Sequence, residues 1–342
     1  MPLVIPVFIP HQGCPHCCIF CNQYRISGQG REEQITSSND VVRLIEKWLN
    51  RSSTADKEVQ VAFYGGSFTG IEPARQEELL DAVAPFIKRG DVRDIRLSTR
   101  PDYIDRKTVT FLKKKHVGIV ELGVQSLDND VLRASNRGHT AEHSVKAVRM
   151  LKEGEMKVGI QLMLGLPRQT RQSLMQTVKD VAGLQPDFVR IYPVLVLKGS
   201  MLADMYEQGG YTPLSLDVAV VLAAKMKEHF DGCGIKIIRM GLQSGPDLEK
   251  SLLAGPYHPA FGEMVGSRIM LKNTRKILQG IPEGEKIILG INDRDQSLFR
   301  GIRSSNIRRL SQLKLVDRFI LRTDANLPRF MVHKISTNNS ET

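Results

Sequence analysis

Short β-branched runs alternate with amphipathic stretches along the first 240 residues, and this alternation limits the fold more than any other feature of the chain. The candidate strands are Leu3–Ile9, Val59–Tyr64, Ile95–Thr99, Gly118–Gly123, Gly159–Leu164, Phe188–Val196 and Ile235–Arg239. Helix-length segments separate them, at Asn39–Asn50, Pro73–Lys88, Arg106–Lys115, Ala141–Glu153, Arg171–Leu184 and Leu216–Phe230. Apolar positions in these segments recur three and four residues apart, as in Val42, Ile45 and Trp48. Repeated strand–helix–strand units require parallel pairing with right-handed crossovers, hence an α/β barrel or a doubly wound sheet.

From about Ser244 the pattern changes. Gly245-Pro246 and Gly255-Pro256 punctuate a smaller region with two further strand candidates, Lys286–Ile291 and Arg318–Arg322. The expected division is therefore 1–243 and 244–342, with a polar tail after Ile335. The formal net charge of the 342 residues is +11, and residues 235–342 hold 18 Lys and Arg against 10 Asp and Glu. Such an excess bears on polyanionic partners and solubility, not on fold.

Composition excludes some classes. With 41% hydrophobic and 25% charged residues the chain is ordinary globular material, not a disordered one. Its longest apolar runs, such as Val4–Pro10 and Ile160–Leu166, are strand-sized and fall short of the ~20 residues a membrane helix needs. No Lys or Arg precedes the apolar N-terminal stretch, so no signal peptide is expected.

Four of the five cysteines, Cys14, Cys17, Cys18 and Cys21, fall within eight residues directly after the first candidate strand; the fifth is Cys233. An odd total without a secretory signal argues against a disulfide framework and for a reduced, cytoplasmic setting. The cluster has four readings. A zinc site would pair two CxxC knuckles, but such knuckles are normally a dozen or more residues apart, and here Cys17 and Cys18 are adjacent. A redox CxxC pair leaves two thiols unexplained. Buried structural cysteines do not usually gather in a loop with Pro and His. The fourth reading takes Cys14, Cys18 and Cys21 as a CxxxCxxC triad, with Phe20 just before the last thiol. Three thiolates on a [4Fe–4S] cubane leave one iron open to chelate S-adenosylmethionine.

The CxxxCxxC string with its aromatic, at the end of a first barrel strand, resembles the radical SAM superfamily. Further segments strengthen the resemblance: Phe63-Tyr64-Gly65-Gly66-Ser67 after the second strand, Gly123-Val124-Gln125-Ser126 with Asn136-Arg137 twelve residues on, and Gly159–Thr170 with its Gly165-Leu166-Pro167 turn. Leu195–Leu202, Ile237–Gln243 and Gly255–Glu263 resemble one branch in particular, the radical SAM portion of the Elongator catalytic subunit and its bacterial relatives, over roughly residues 1–280. Oxygen-independent coproporphyrinogen oxidases are a more distant likeness.

The resemblance implies an α/β fold: a partial parallel (β/α)6 TIM-like barrel carrying a small α+β C-terminal extension. It implies a [4Fe–4S] cluster on Cys14, Cys18 and Cys21, and S-adenosylmethionine held by Phe20, Gly65, Gly66, Ser67, Ser98, Gln125, Arg137 and Gln161. Reductive cleavage of that cofactor would yield a 5′-deoxyadenosyl radical that abstracts hydrogen from a substrate. The chain departs from the pattern in three places. Ser67 stands where the family's Gly-Gly-Glu-like motif is acidic, and Ser98 and Gln161 stand where the porphyrin enzymes carry Glu and Asp.

Residues 280–342 show no glycine-rich acetyl-CoA loop, so the Elongator subunit's acetyl chemistry on wobble uridine does not carry over whole. The expected substrate is tRNA or another RNA, met by Arg300, Arg303, Arg308 and Arg309 on one helix and Arg318 and Arg322 on a following strand; nearby aromatics are sparse, and a solvated basic face explains these arginines as well. The rival readings are a small-molecule enzyme of the coproporphyrinogen-oxidase kind and a non-catalytic iron–sulfur or RNA-binding protein. A separate electron donor is expected and a membrane is not. The sequence assigns no general acid or base, no oligomeric state and no role to Cys17 or Cys233.

Overall fold

The computed structural model describes residues 2–9, 12–14, 18–22, 37–51, 58–282 and 284–335. Cys17, His16 and the tail after Ile335 lie outside them. The described chain divides into two compact units, Met1–Leu216 with Met226–Pro259, and Asp217–Lys225 with Ala260–Thr342.

In the first unit the strands are, in chain order, β1 (Leu3–Phe8), β2 (Val59–Tyr64), β3 (Asp94–Thr99), β4 (Val117–Gln125), β5 (Lys157–Leu164), β6 (Phe188–Pro193), β7 (Val196–Leu197), β8 (Lys236–Met240) and β9 (Leu252–Ala254). Seven form one sheet in the order β1-β2-β3-β4-β5-β6-β8, every pair parallel, and β1 and β8 are not joined. This is an open α/β barrel of seven strands, as the seven candidate strands predict: six strand–helix units followed by β8, which adds to the edge of β6. Near-continuous burial along β2 (Val59 to Phe63) is the mark of a parallel strand covered on both faces.

Caps set most of the crossover helices. Asp105 accepts from the Thr108 amide at 2.7 Å to start Arg106–Lys114. Capping boxes at Thr140/His143 and Thr170/Ser173 start Ala141–Glu153 and Arg171–Gly183. Two segments differ from the sequence reading. Pro73–Lys88 is two helices, Pro73–Asp81 and Ala84–Lys88, since Pro85 has no amide to donate and its ring crowds the carbonyl four residues back. Phe188–Val196 is likewise two strands. β6 stops at Pro193, which cannot extend a ladder, and β7 turns away to pair antiparallel with β9. That pairing ties residues 252–254 to the barrel unit.

The second unit packs the 19-residue helix Phe261–Gln279, which the sequence reading missed, against a three-stranded sheet. Its strands are β10 (Ile287–Ile291), β11 (Phe319–Thr323) and β12 (His333–Ile335), with β10 central. Met270, Leu278, Leu289, Ile291 and Phe299 form its core. The arginines expected on one helix are spread over three short pieces, Gln296–Arg300, Ile302–Ser304 and Ser305–Gln312, because Arg303 and Ser304 are left-handed. Arg300, Arg303, Arg308, Arg309 and Arg322 are exposed. Arg318 is half-buried and donates to the carbonyls of Ile281 and Pro282 at 2.9 and 2.7 Å, so its role is structural.

Candidate functional site

The cysteine loop is held from two sides at the C-terminal mouth of the sheet. On one side it interlocks with the loop after β2. The Ser67 amide donates to the Gln12 carbonyl at 2.9 Å. A Cβ on Gly66 would lie 2.4 Å from that same oxygen, and one on Gly13, which sits at φ +69°, would lie 2.2 Å from the Ser67 carbonyl oxygen. The glycines at this turn therefore serve backbone-to-backbone contact beside Cys14. On the other side, the Ile19 amide donates to Ser135 and its carbonyl accepts from Leu202. Ile19 is buried with Val131, Met163, Leu166 and Tyr192, and Phe20 packs against that group.

Cys14 and Cys21 are half-buried and Cys18 is buried, and all three are thiols outside any disulfide. Among the described residues no three His, Cys, Asp or Glu side chains converge as ligands of a single ion do. Thiolates that each bind a different iron of one cluster do not share such a centre.

Arg137 lies behind Cys18. It follows the helix Asn129–Ala134, is 6% exposed, and so is no surface cap. One Nη donates to Cys18 Sγ at 3.1 Å and the other to the Gly123 carbonyl at 2.5 Å, while its Nε is buried without a hydrogen-bond partner among the described residues. Gly123 keeps this corner open: a Cβ there would lie 3.0 Å from Gln125 Nε2 and 3.3 Å from an Arg137 Nη, so those side chains would have to give way by a few tenths of an ångström. Gln125, at φ +67°, accepts from Gln161 Nε2 at 3.3 Å, so the two amides expected to contact the cofactor meet at the mouths of β4 and β5.

Two of the expected contacts are engaged inside the protein. Ser67 is fully buried; its hydroxyl lies 3.0 Å from Thr99 Oγ1 and accepts from the Arg100 amide. With its amide and carbonyl also bonded within the protein, Ser67 shapes the turn. Ser98 makes a long 3.4 Å bond to the Phe63 carbonyl. Gly65, at φ +93°, makes the left-handed step out of β2.

The sequence reading missed the support behind Arg137. Arg100 holds Asp102 through Nε and Nη2 at 3.0 and 2.9 Å and also donates to the Arg137 carbonyl. Burial raises the Asp102 carboxyl, but the hydrogen bonds and charge of Arg100 outweigh it and hold the group below the usual carboxylate range. His139 is pushed down to about 3 by burial and then by the Arg137 charge, so it stays neutral beside two guanidiniums. The Arg100-Pro101-Asp102 string was the available signal, but as a sequence it reads as a loop.

A second polar group joins side chains of β2, β3, β4 and β6. The buried Glu121 carboxylate accepts from Tyr64 Oη at 3.0 Å and from Arg96 Nε, and pairs with Arg190 Nε at 2.9 Å; Arg190 also donates to Tyr64 Oη. Burial and Glu121 push the Tyr64 phenol up to about 12. A cavity of about 840 Å³ beside the β5 mouth, lined by Leu166, Arg168, Tyr211 and Leu214 among others, includes none of the three described cysteines of the loop.

An open parallel α/β barrel with a cysteine loop at its strand mouths, backed by a buried arginine, is the class of protein these features define. The family is the radical SAM superfamily, to which the chain belongs: residues 8–181 match that superfamily and residues 186–270 its Radical_SAM C-terminal domain. The uncharacterized protein MJ0486 of Methanocaldococcus jannaschii is 28% identical over 64% of this chain and 69% of its own length. The tRNA uridine(34) acetyltransferase of the same organism is 35% identical over 38% of this chain, a stretch that spans 25% of the acetyltransferase. Among solved structures, the archaeal Methanocaldococcus infernus Elp3 with an N-terminal deletion superposes with TM-score 0.61 at 22% identity, over 80% of this chain and 64% of that one. That likeness is one of fold.

Proposed function

We propose that residues 1–243 hold a [4Fe–4S] cluster through Cys14, Cys18 and Cys21, with S-adenosylmethionine completing the fourth iron. The cluster would supply the electron that cleaves the sulfonium to a 5′-deoxyadenosyl radical, which abstracts hydrogen from a substrate. The observation that carries this reading is Arg137: a buried guanidinium between a loop thiol and the β4 mouth, with Nε unmatched by any acceptor among the described residues. A buried donor without an acceptor calls for one, and a carboxylate suits a guanidinium best. Gln125 and Gln161 present amides for ribose hydroxyls, Ser98 and Phe20 line the same mouth, and Gly65, Gly66 and Ser67 shape the turn. His139, kept neutral, adds no competing charge.

The proposed substrate is tRNA or another RNA. The acetyltransferase relative, by its name, acts on uridine 34 of tRNA. Arg300, Arg303, Arg308, Arg309 and Arg322 are exposed in residues 244–342, where phosphates would meet them. No helix among the described residues is long and apolar enough to cross a membrane. A reducing cytoplasmic setting and a separate low-potential electron donor belong to the same reading.

Anaerobic reconstitution tests it. Iron and sulfide near four per chain are expected, with turnover of S-adenosylmethionine to 5′-deoxyadenosine under a strong reductant. Cys14→Ala abolishes turnover and Cys17→Ala does not; the reverse would reassign the ligands. Zinc in place of iron would overturn the reading.

A further inference from the structure

One hydrogen bond in the site points at the cluster ligand and not at the cofactor. Arg137 Nη1 donates to Cys18 Sγ at 3.1 Å, while Nη2 is fixed on the Gly123 carbonyl. The guanidinium plane is thus set by one main-chain acceptor, and the residue's own carbonyl is gripped by Arg100, itself locked on Asp102. Arg137 and Arg100 are 6% and 3% exposed, so solvent screens neither charge well. Each Nη has an acceptor and Nε has none among the described residues, which lets one side chain serve a ligand through Nε without releasing Cys18.

We infer that Arg137 sets the reduction potential of the cluster by hydrogen bonding to the Cys18 thiolate; this rests on the proposed function above. Reduction adds one electron to the cluster from a low-potential one-electron donor and makes or breaks no bond. A charged donor on a ligand sulfur withdraws electron density and stabilises the reduced state, so the potential rises. The effect belongs to the protein before any cofactor binds. It is therefore separable from a role of the same guanidinium in holding a carboxylate.

The test is an EPR-monitored redox titration of the reconstituted full chain without S-adenosylmethionine, using dithionite and titanium(III) citrate. Four variants are compared: Arg137→Gln, Arg137→Lys, Arg100→Gln and Arg133→Gln. The last removes an exposed arginine of the neighbouring helix that pairs with Asp130, and controls for charge alone. Arg137→Gln should reduce the reduced-to-oxidised ratio at fixed potential at least tenfold, equivalent to a midpoint about 59 mV lower for a one-electron couple. Arg137→Lys should recover part of that shift, Arg100→Gln should shift it partway in the same direction, and Arg133→Gln should leave it unchanged.

If Arg137→Gln loads no cluster, the Lys and Arg100 variants decide. Reduced-to-oxidised ratios at fixed potential within twofold of the wild type in every variant that retains four irons would overturn the inference, as would an equal shift in Arg133→Gln. Failure of the wild type to bind iron would instead sink the proposed function.

Discussion

Arg100 donates to the main-chain carbonyl of Arg137 while its own Nε and Nη2 hold Asp102. The loop after β3 thereby fixes the residue that touches the cysteine loop, although the two arginines are 37 residues apart. Asp102 is what keeps this arrangement electrically tolerable, since without it two buried guanidiniums and His139 share one small volume.

Asp102→Asn should therefore destabilise the chain by about 3 kcal/mol, the scale seen when one partner of a buried ion pair is removed. The Asp102 carboxyl sits below its unfolded value near 3.9, so its contribution is complete above that pH and is lost as pH falls through the lower folded value. Urea unfolding at pH 7 and at pH 3 checks this: the gap between wild type and variant should narrow at the acid end.

His139 acts in a neighbouring window. Its folded pKa of about 3 lies below the unfolded 6.5, so the unfolded chain takes up a proton first, and stability declines as pH falls from about 6.5 toward 3. NMR of ring-labelled protein should show the His139 signal not titrating between pH 8 and pH 5.

Gly66→Ala tests the interlocked loops. A Cβ at 2.4 Å from the Gln12 oxygen forces backbone to move, at a cost of roughly 1–3 kcal/mol, and displaces the segment that carries Cys14. Iron retention after reconstitution should drop. Gly183→Ala meets nothing within 4 Å and should leave both stability and iron content close to wild type.

The Glu121 network predicts a graded series. Glu121→Gln leaves Arg96 and Arg190 without their carboxylate and should cost about 3–5 kcal/mol, whereas Tyr64→Phe removes the bond to Glu121 and the one from Arg190 and should cost about 2 kcal/mol. The Tyr64 phenol stays neutral up to about pH 12 in the folded chain but ionises near 10 in the unfolded one. Its share of stability is thus present below pH 10 and lost as pH rises toward 12. Absorbance at 295 nm during alkaline titration follows it.

RNA binding, if the proposed substrate class is right, should weaken steeply with salt. Arg308→Gln with Arg309→Gln should lower the slope of log affinity against log salt by about 2, one for each phosphate left without its guanidinium. Arg318→Gln should instead lower thermal stability, because that side chain holds the carbonyls of Ile281 and Pro282.

Much of the barrel was legible because its signals are local. The β-branched runs and the CxxxCxxC spacing each depend on a handful of adjacent residues. Errors fell where a local signal was ambiguous. Pro85 and Pro193 broke segments whose apolar content ran on unchanged, and Phe261–Gln279 was overlooked among the Gly-Pro turns before it.

By itself the chain determined that parallel strands alternate with helices and that a thiol loop follows the first strand, since both follow from residue periods of two and 3.6 and from spacing. Only the tertiary structure decided that Arg137 meets Cys18, that Gly66 is filled by the Gln12 backbone, that Ser67 is sealed inside, and that Glu121 gathers Tyr64, Arg96 and Arg190. Each of these joins strands or loops far apart in sequence. Their meeting depends on sheet order and register, which a pattern of apolar residues along the chain leaves open.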